Sequence, residues 1–343
     1  PPLAVIKPLP TEEDRPEVAP PEGETVQEAF IRACIRGGRA ICCTDARTGP
    51  LTYSRIKRSA FVLAERIRKY EGDHIAILLP ASSAVYIAVF ATLLADKVPI
   101  MLNWTSGKRA LEHAQETTQF TTILSSRAFL SGVSELDLGD HLAEQLILFE
   151  EVKASLTLVE KVRGAWRSLR AGRQVSKWKG RGDERAVVLF TSGTETLPKG
   201  VPLTHTNILS NQQASLSVIE IVRGDLLYGL LPPFHSFGFS LTGLFPILSC
   251  VRVAYAPDPL DAAAMSADID SIHPTILCLA PSFYTNLISH LEKDQFDSVR
   301  YFVTGAEKAP ETLFTFVDSL EGAHRVIEGY GITECAPVVT ICP

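Results

Sequence analysis

The chain has 343 residues, enough for two or three packed units and a sizeable core. Hydrophobic residues make up 46% and charged residues 21%, the balance of an ordinary soluble globular protein. The formal net charge of -6 weighs against a nucleic-acid binder, which would carry a basic excess.

Residues 1–24 are rich in Pro and Glu and poor in apolar residues, so they are expected to form a poorly ordered linker. Thr25 can cap a helix, with Glu28 completing a capping box. A second amphipathic helix is predicted through Ile56, Ala60, Leu63 and Ile67. From Gly72 the pattern changes. The run His74–Leu79, stopped by Pro80, reads as a buried parallel strand. An apolar helix over 84–95 follows, too short to span a bilayer and ended by Asp96-Lys97. Strand 98–102, a helix from Leu111 to Thr117 and strand 121–124 continue the alternation, which argues for a parallel α/β sheet.

Residues 153–181 differ: they carry nine Lys/Arg and one acid, Glu160. Val159, Val162, Trp166 and Leu169 fall on one helical face. Such a helix can lie on an anionic membrane or dock an acidic partner, or serve as a solvated linker helix. A second α/β unit begins at Ala186 with the strand Val187–Phe190. Further strands are predicted at 225–231, 251–255, 275–279 and 299–303, separated by helices near 206–219, 241–249, 260–271, 282–293 and 310–320. The expected division is a linker at 1–24, a first unit at 25–180 and a second at 181–343. Seven cysteines show no CxxC pair or His/Cys ligand spacing and read as buried thiols of a reducing compartment. No signal peptide is apparent, and the chain opens on Pro1 and stops at Cys342-Pro343, as an excised fragment would.

The strand at 187–190 runs straight into TSGTETLPKG, residues 191–200. Thr191, Ser192 and Thr194 place hydroxyls around Gly193, and Lys199 adds a positive charge. A loop of this kind cradles phosphate oxygens with backbone N–H groups and hydroxyls. It is not a Walker A loop, because Pro198 precedes Lys199 and Gly200 follows it. Later come Leu231-Pro-Pro-Phe-His-Ser-Phe-Gly238, Val303-Thr-Gly-Ala-Glu307 and Glu328-Gly-Tyr-Gly-Ile-Thr-Glu334.

These motifs, in this order, resemble those of the adenylate-forming superfamily, which contains acyl-CoA synthetases, luciferases and peptide-synthetase adenylation domains. The resemblance covers about residues 25–343. It implies two parallel or mixed-sheet α/β subdomains, packed as the large N-terminal domain of such an enzyme, with the small C-terminal catalytic domain lying beyond position 343. Three stretches, Met101-Leu-Asn-Trp-Thr-Ser-Gly107, PPFHSFG and the segment 328–339, look like acyl–acyl carrier protein synthetases, a family that can be fused to a 2-acylglycerophosphoethanolamine acyltransferase. None of the eight histidines has Asp five positions on, so no acyltransferase motif occurs here.

The implied roles are as follows. Thr191, Ser192, Gly193, Thr194 and Lys199 would hold the β- and γ-phosphates of ATP. Glu334 would bind Mg²⁺, and Thr333 would meet the α-phosphate or the acyl carboxylate. Tyr330, flanked by Gly329 and Gly331, would stack on adenine, with Gly305, Ala306 and Glu307 on the other side. His235 would sit near the carboxylate. The apolar helix Phe237–Leu248, with Gly238 and Gly243 leaving room, would line an acyl tunnel or form ordinary core. Glu195 and Thr196 depart from the family loop, which has a glycine where Thr196 stands. The implied activity is ATP-dependent activation of a fatty acid and transfer to acyl carrier protein, in the cytoplasm or at the inner face of the membrane. A long-chain fatty acid–CoA ligase is the alternative acceptor choice, and a catalytically weak adenylate-binding or membrane-scaffold module the alternative class. The fragment alone is expected not to turn over at normal rates.

Overall fold

Local capping starts the fold. The Thr25 hydroxyl accepts from Glu28 N at the head of the helix Val26–Gly37. The reciprocal arm differs from a capping box, because Glu28 accepts from Glu24 N one residue earlier. The next helix, Tyr53–Ile67, buries Ile56, Ala60, Leu63 and Ile67, the stripe that its periodicity predicts. The computed structural model describes residues 5–12, 14–133, 136–191 and 197–342.

Strands β1 (Ile41–Asp45) and β2 (Leu51–Thr52) come first. Then follow β3 (His74–Ile77), β4 (Val98–Met101), β5 (Ile123–Ser125), β6 (Leu146–Leu148), β7 (Arg185–Phe190) and β8 (Gly200–Thr204). The last group is β9 (Leu226–Gly229), β10 (Arg252–Tyr255), β11 (Ile276–Leu279), β12 (Tyr301–Thr304), β13 (Arg325–Gly331) and β14 (Val338–Cys342). They build a six-stranded sheet, β6-β5-β3-β4-β7-β8, and an eight-stranded sheet, β14-β13-β12-β11-β9-β10-β1-β2. Pairing is parallel except for β7–β8, β1–β2 and β13–β14.

Each sheet takes strands from both sides of the 180/181 point. β7 and β8 lie beyond that point yet complete the sheet of β3 and β4. β1 lies before it yet pairs with β10 in the other sheet. One buried cluster runs through both, joining Ile75, Ile77 and Leu189 to Val253 and Ile276. The leader is also better packed than expected. Residues 5–12 and 14–24 form no helix or strand, but Ile6 is fully buried and donates its N–H to Asp268 at 2.7 Å. Arg15 is buried and donates to the Ile41 carbonyl at 2.7 Å. Five cysteines are buried and free, while Cys335 and Cys342 are exposed.

The connections of the larger sheet position a crevice. β9 leads to β10 on one side, whereas β11 leads to β12 on the other. β9 and β11 are neighbours, so the direction of winding reverses between them. In open parallel sheets, ligands bind outside the carboxyl ends of strands at such a switch point.

The helix His205–Val218 joins the two sheets. It follows β8 and packs against β14. His205 is buried, and its Nδ1 accepts from Val26 N at 3.2 Å. Val26 opens the first helix, so the imidazole satisfies one of that helix's unpaired donors. Burial lowers the His205 pKa from its ordinary value of 6.5 to about 4. The unfolded chain therefore takes up a proton first as pH falls. The stability held by neutral His205 is complete above pH 6.5 and is lost as pH falls towards 4. Urea unfolding should show a loss of about 2–3 kcal/mol between neutral pH and the folded pKa that is missing in His205→Gln.

Candidate active site

Four chain segments meet at the carboxyl ends of β9, β11, β12 and β13. After β9 the backbone turns through Pro232-Pro233, and His235 N donates to the Pro232 carbonyl at 3.1 Å. After β12 the chain passes through Gly305 and Ala306. Ala306 takes the left-handed conformation, φ 70°, which few non-glycine residues adopt. After β13 comes the short 3-10 turn Thr333–Cys335.

A cavity of about 490 Å³ lies between these segments, within the ordinary range for small-molecule sites. His235, Gly305, Ala306, Glu307, Gly329, Tyr330, Gly331 and Thr333 all line it. Tyr330 is 63% exposed, with its ring free to receive a planar group. Glu307 accepts from the Ser282 hydroxyl at 3.3 Å, joining the loops after β11 and β12. Ser236 and Thr333 hydroxyls approach at 3.4 Å, so PPFHSFG and YGITE meet through side chains 97 residues apart.

Close backbone contact sets this geometry. A Cβ on Gly305 would sit 2.8 Å from the Gly329 carbonyl oxygen. One on Gly331 would sit 2.3 Å from the Pro337 carbonyl. Both positions therefore exclude side chains, and the loops after β12 and β13 can touch. Gly329 itself has ordinary space, with its nearest neighbour 3.7 Å away.

His235 makes no side-chain hydrogen bond among the described residues. Desolvation against the apolar wall beside Phe234, whose ring centroid lies 4.7 Å away, holds its pKa below the ordinary imidazole value. Solvent still reaches the ring from the open side. A neutral imidazole at pH 7 offers one donor and one acceptor to a ligand.

Lys199 and Glu334 do not line the cavity. Both are exposed. Thr191 and Lys199 close the base of the β7–β8 hairpin: Thr191 N donates to the Lys199 carbonyl at 3.1 Å, and Lys199 N to the Thr191 hydroxyl at 3.2 Å. β8 lies against the Thr333–Cys335 turn, so the hairpin and Glu334 approach from the same direction. Ser192, Gly193 and Thr194, with Glu195 and Thr196, lie outside the described residues. Glu334 has no ion pair among the described residues. Glu334 offers an exposed carboxylate near β8, and Mg²⁺ takes one or two carboxylates and completes its shell with water and phosphate oxygens.

The segment after His235 differs from the expected helix. Residues Gly238–Leu244 form a π-helix that passes into the α-helix Phe245–Ser249. The room at its glycines is occupied by protein. A Cβ on Gly238 would meet the Pro232 carbonyl at 2.1 Å, and one on Gly243 the Tyr86 ring at 2.2 Å. The Cβ positions of both glycines are filled by protein, while Gly238 itself lines the cavity. Leu241 and Phe245 from this segment do reach the cavity, opposite Ile276, Ile327 and Ile341. They give the site an apolar wall.

Asn211 carried no usable sequence signal, and Thr304 and Phe237 lay inside quoted motifs without a role of their own. Asn211 donates to the Val338 carbonyl at 2.7 Å and accepts from Val338 N at 3.2 Å, which pins β14 from the bridging helix. Thr304 is fully buried on the cavity wall, and its hydroxyl has no partner among the described residues. Phe237 packs over Gly305, 3.4 Å from where a Cβ would stand.

The family model of AMP-binding enzymes matches residues 31–343, so the chain belongs to that family. It is similar to a long-chain-fatty-acid–CoA ligase of Bacillus subtilis, 25% identical over 311 residues, covering 82% of this chain and 54% of the relative. It is also similar to a medium-chain fatty-acid–CoA ligase of Escherichia coli, 28% identical over 319 residues, covering 87% and 53%. The chain thus spans about half the length of these curated relatives. ATP-bound MatB from Rhodopseudomonas palustris shares the fold, with TM-score 0.73 at 20% identity, covering 92% of this chain and 62% of that one.

Two substitutions test the architecture. Asn211→Ala should lower stability by about 1–3 kcal/mol in chemical unfolding, because it strands both polar groups of Val338. Thr304→Val keeps the side-chain shape and removes an unpartnered hydroxyl. It should leave the ligand-free melting temperature unchanged or slightly raised, and weaken a polar ligand bound in the cavity.

Proposed function

We propose that this chain carries the site where a fatty acid and ATP form an acyl-adenylate and pyrophosphate. The observation that carries the proposal is one cavity lined by the PPFHSFG, VTGAE and YGITE segments, with an apolar wall on one side, and β8, which ends the TSGTETLPKG motif, against the Thr333–Cys335 turn at its edge. The fatty-acid–CoA ligases among the relatives support a fatty acid as the substrate, and the ATP-bound state of MatB supports the nucleotide.

In this reading the carboxylate oxygen attacks the α-phosphorus and pyrophosphate leaves. Such a step needs positioning and charge neutralisation more than covalent help. Tyr330 stacks on the adenine, with Gly305, Ala306 and Glu307 on its other side, and the glycine contacts keep these two walls at a fixed separation. Thr333, steered by Ser236, donates to the α-phosphate or the carboxylate. Neutral His235 donates to the carboxylate without adding charge. Thr191 and Lys199, with Ser192, Gly193 and Thr194, hold the β- and γ-phosphates. Glu334 would hold Mg²⁺, which would offset the phosphate charge. The aliphatic chain runs along Leu241, Phe245, Ile276 and Ile327.

Two thiol acceptors fit the second step. The resemblance of 101–107, 231–238 and 328–339 to acyl–acyl carrier protein synthetases supports the phosphopantetheine of a carrier protein. The names of the curated relatives support coenzyme A. Labelled fatty acid and ATP, given to the complete gene product with both acceptors in competition, would decide between them. Adenylate formation is tested first, by binding. A non-hydrolysable acyl-adenylate mimic should raise the melting temperature of this chain. Thr333→Ala and Tyr330→Ala should each weaken the mimic by about tenfold. No thermal shift at millimolar mimic, or equal binding by both variants, would sink the assignment.

A further inference from the structure

The helix Leu158–Leu169 is mounted inside out. At about 3.6 residues per turn, Leu158, Val159, Val162, Trp166 and Leu169 form one continuous stripe. In a surface helix that stripe normally faces the core. Here these five side chains are 51–83% exposed. The buried positions are Glu160, Gly164 and Ser168, on the opposite face.

The inward face is held by specific contacts. Glu160 caps its own helix through Thr157 and accepts from Arg66 at 2.8 and 3.0 Å, with Lys69 at 3.0 Å. The Arg66 guanidinium in first place keeps its carboxyl well below the ordinary carboxylate range. Glu65 pairs with Arg167 at 3.2 Å. A Cβ on Gly164 would lie 2.5 Å from the Val62 Cα, so the helix is pressed onto the helix Tyr53–Ile67 with no freedom to roll.

The exposed stripe is edged by cations. Arg170 stacks over the Trp166 ring at 4.2 Å. Lys161 and Arg170 have no ion pair among the described residues. Beyond the helix end, a cleft of about 340 Å³ is lined by Lys57, Arg170 and Arg173 together with Leu169 and Ile35, and Ile35 is itself 55% exposed. Apolar side chains, an indole and cations together on one exposed face match the layered chemistry of a bilayer interface.

We propose that this helix seats the protein flat on an anionic lipid bilayer. Its apolar stripe enters the acyl boundary, and Lys57, Lys161, Arg170 and Arg173 take the headgroup phosphates. Charge argues against a second copy as the occupant, because a two-fold pair of this surface would bring its cationic borders together. No helix among the described residues is long and apolar enough to cross a membrane, so the attachment is peripheral. The proposal is independent of the chemistry assigned to the cavity.

The test uses this chain with vesicles of phosphatidylcholine alone, or with about a third phosphatidylglycerol. The chain should sediment with the anionic vesicles only, with a blue shift in tryptophan emission that Trp166→Phe removes. Leu158→Gln with Leu169→Gln, and separately Lys161→Glu with Arg170→Glu, should each lower partitioning by about tenfold. These positions are exposed, so circular dichroism and melting temperature should stay unchanged and serve as the folding control. Equal binding to neutral vesicles, undiminished binding by either variant pair, or concentration-dependent dimerisation without vesicle binding would each overturn the proposal.

Discussion

The contact on which the site depends is the approach of Gly305 to the Gly329 carbonyl. A single added carbon at Gly305 would stand 2.8 Å from that oxygen. β12 and β13 are parallel neighbours in register, Thr304 opposite Glu328. Their exit loops must therefore leave side by side, and only backbone fits between them. That crowding aims Tyr330 outward and turns the chain back through Ile332, whose N–H donates to the Pro337 carbonyl at 3.0 Å. The second glycine restriction, at Gly331, belongs to the same fold-back. Thr333 then falls beside Ser236, and the loop after β9 is tied to the loop after β13.

The winding reversal between β9 and β11 explains why the cavity lies there. Loops that diverge from adjacent strands leave a gap that no side chain of the sheet fills. The helices bound it from one side, and Asn211 fixes the far strand. The π-helix at 238–244 belongs to this boundary. Pro232 and Tyr86 occupy the room that its glycines leave, and the Tyr86 hydroxyl donates to the Gly238 carbonyl at 3.1 Å. The segment is thereby locked against a helix of the other sheet, and its Leu241 and Phe245 are presented as a firm wall.

Short buried strands bounded by proline or glycine were legible, because continuous apolar runs and breakers are local signals. β3, β4, β9, β10, β11 and β12 all fall within or beside their predicted runs. β13 was not legible as a strand. Its glycines and half-exposed polar residues read as a loop, and only pairing with β12 and β14 makes it a strand. The division at 180/181 was drawn from chain order, but partners are chosen by free strand edges: β7 completes the edge of β4, and β1 the edge of β10. For the site, motif residues around the cavity were legible as a group. Asn211 and Thr304 were not, since the first acts across 127 residues and the second matters through a partner that it lacks.

The helix Leu158–Leu169 shows where hydrophobic periodicity stops predicting burial. The stripe itself was visible in the sequence, but its direction was not. The partner surface decides it. On the helix Tyr53–Ile67 the outward positions facing this segment include Glu65 and Arg66, and Arg68 follows. Turning the apolar stripe inward would cover these charges with Leu, Val and Trp and remove Glu160 and Arg167 from them. Glu65 and Glu160 would each lose cationic partners, at several kcal/mol apiece, while the stripe would be packed against charged groups and regain little of the burial energy that an apolar partner would give. Charge pairing thus outweighs hydrophobic burial at this interface. The apolar face points away from the core because the neighbouring helix meets this segment mainly with charges, Val62 against Gly164 being the close apolar contact.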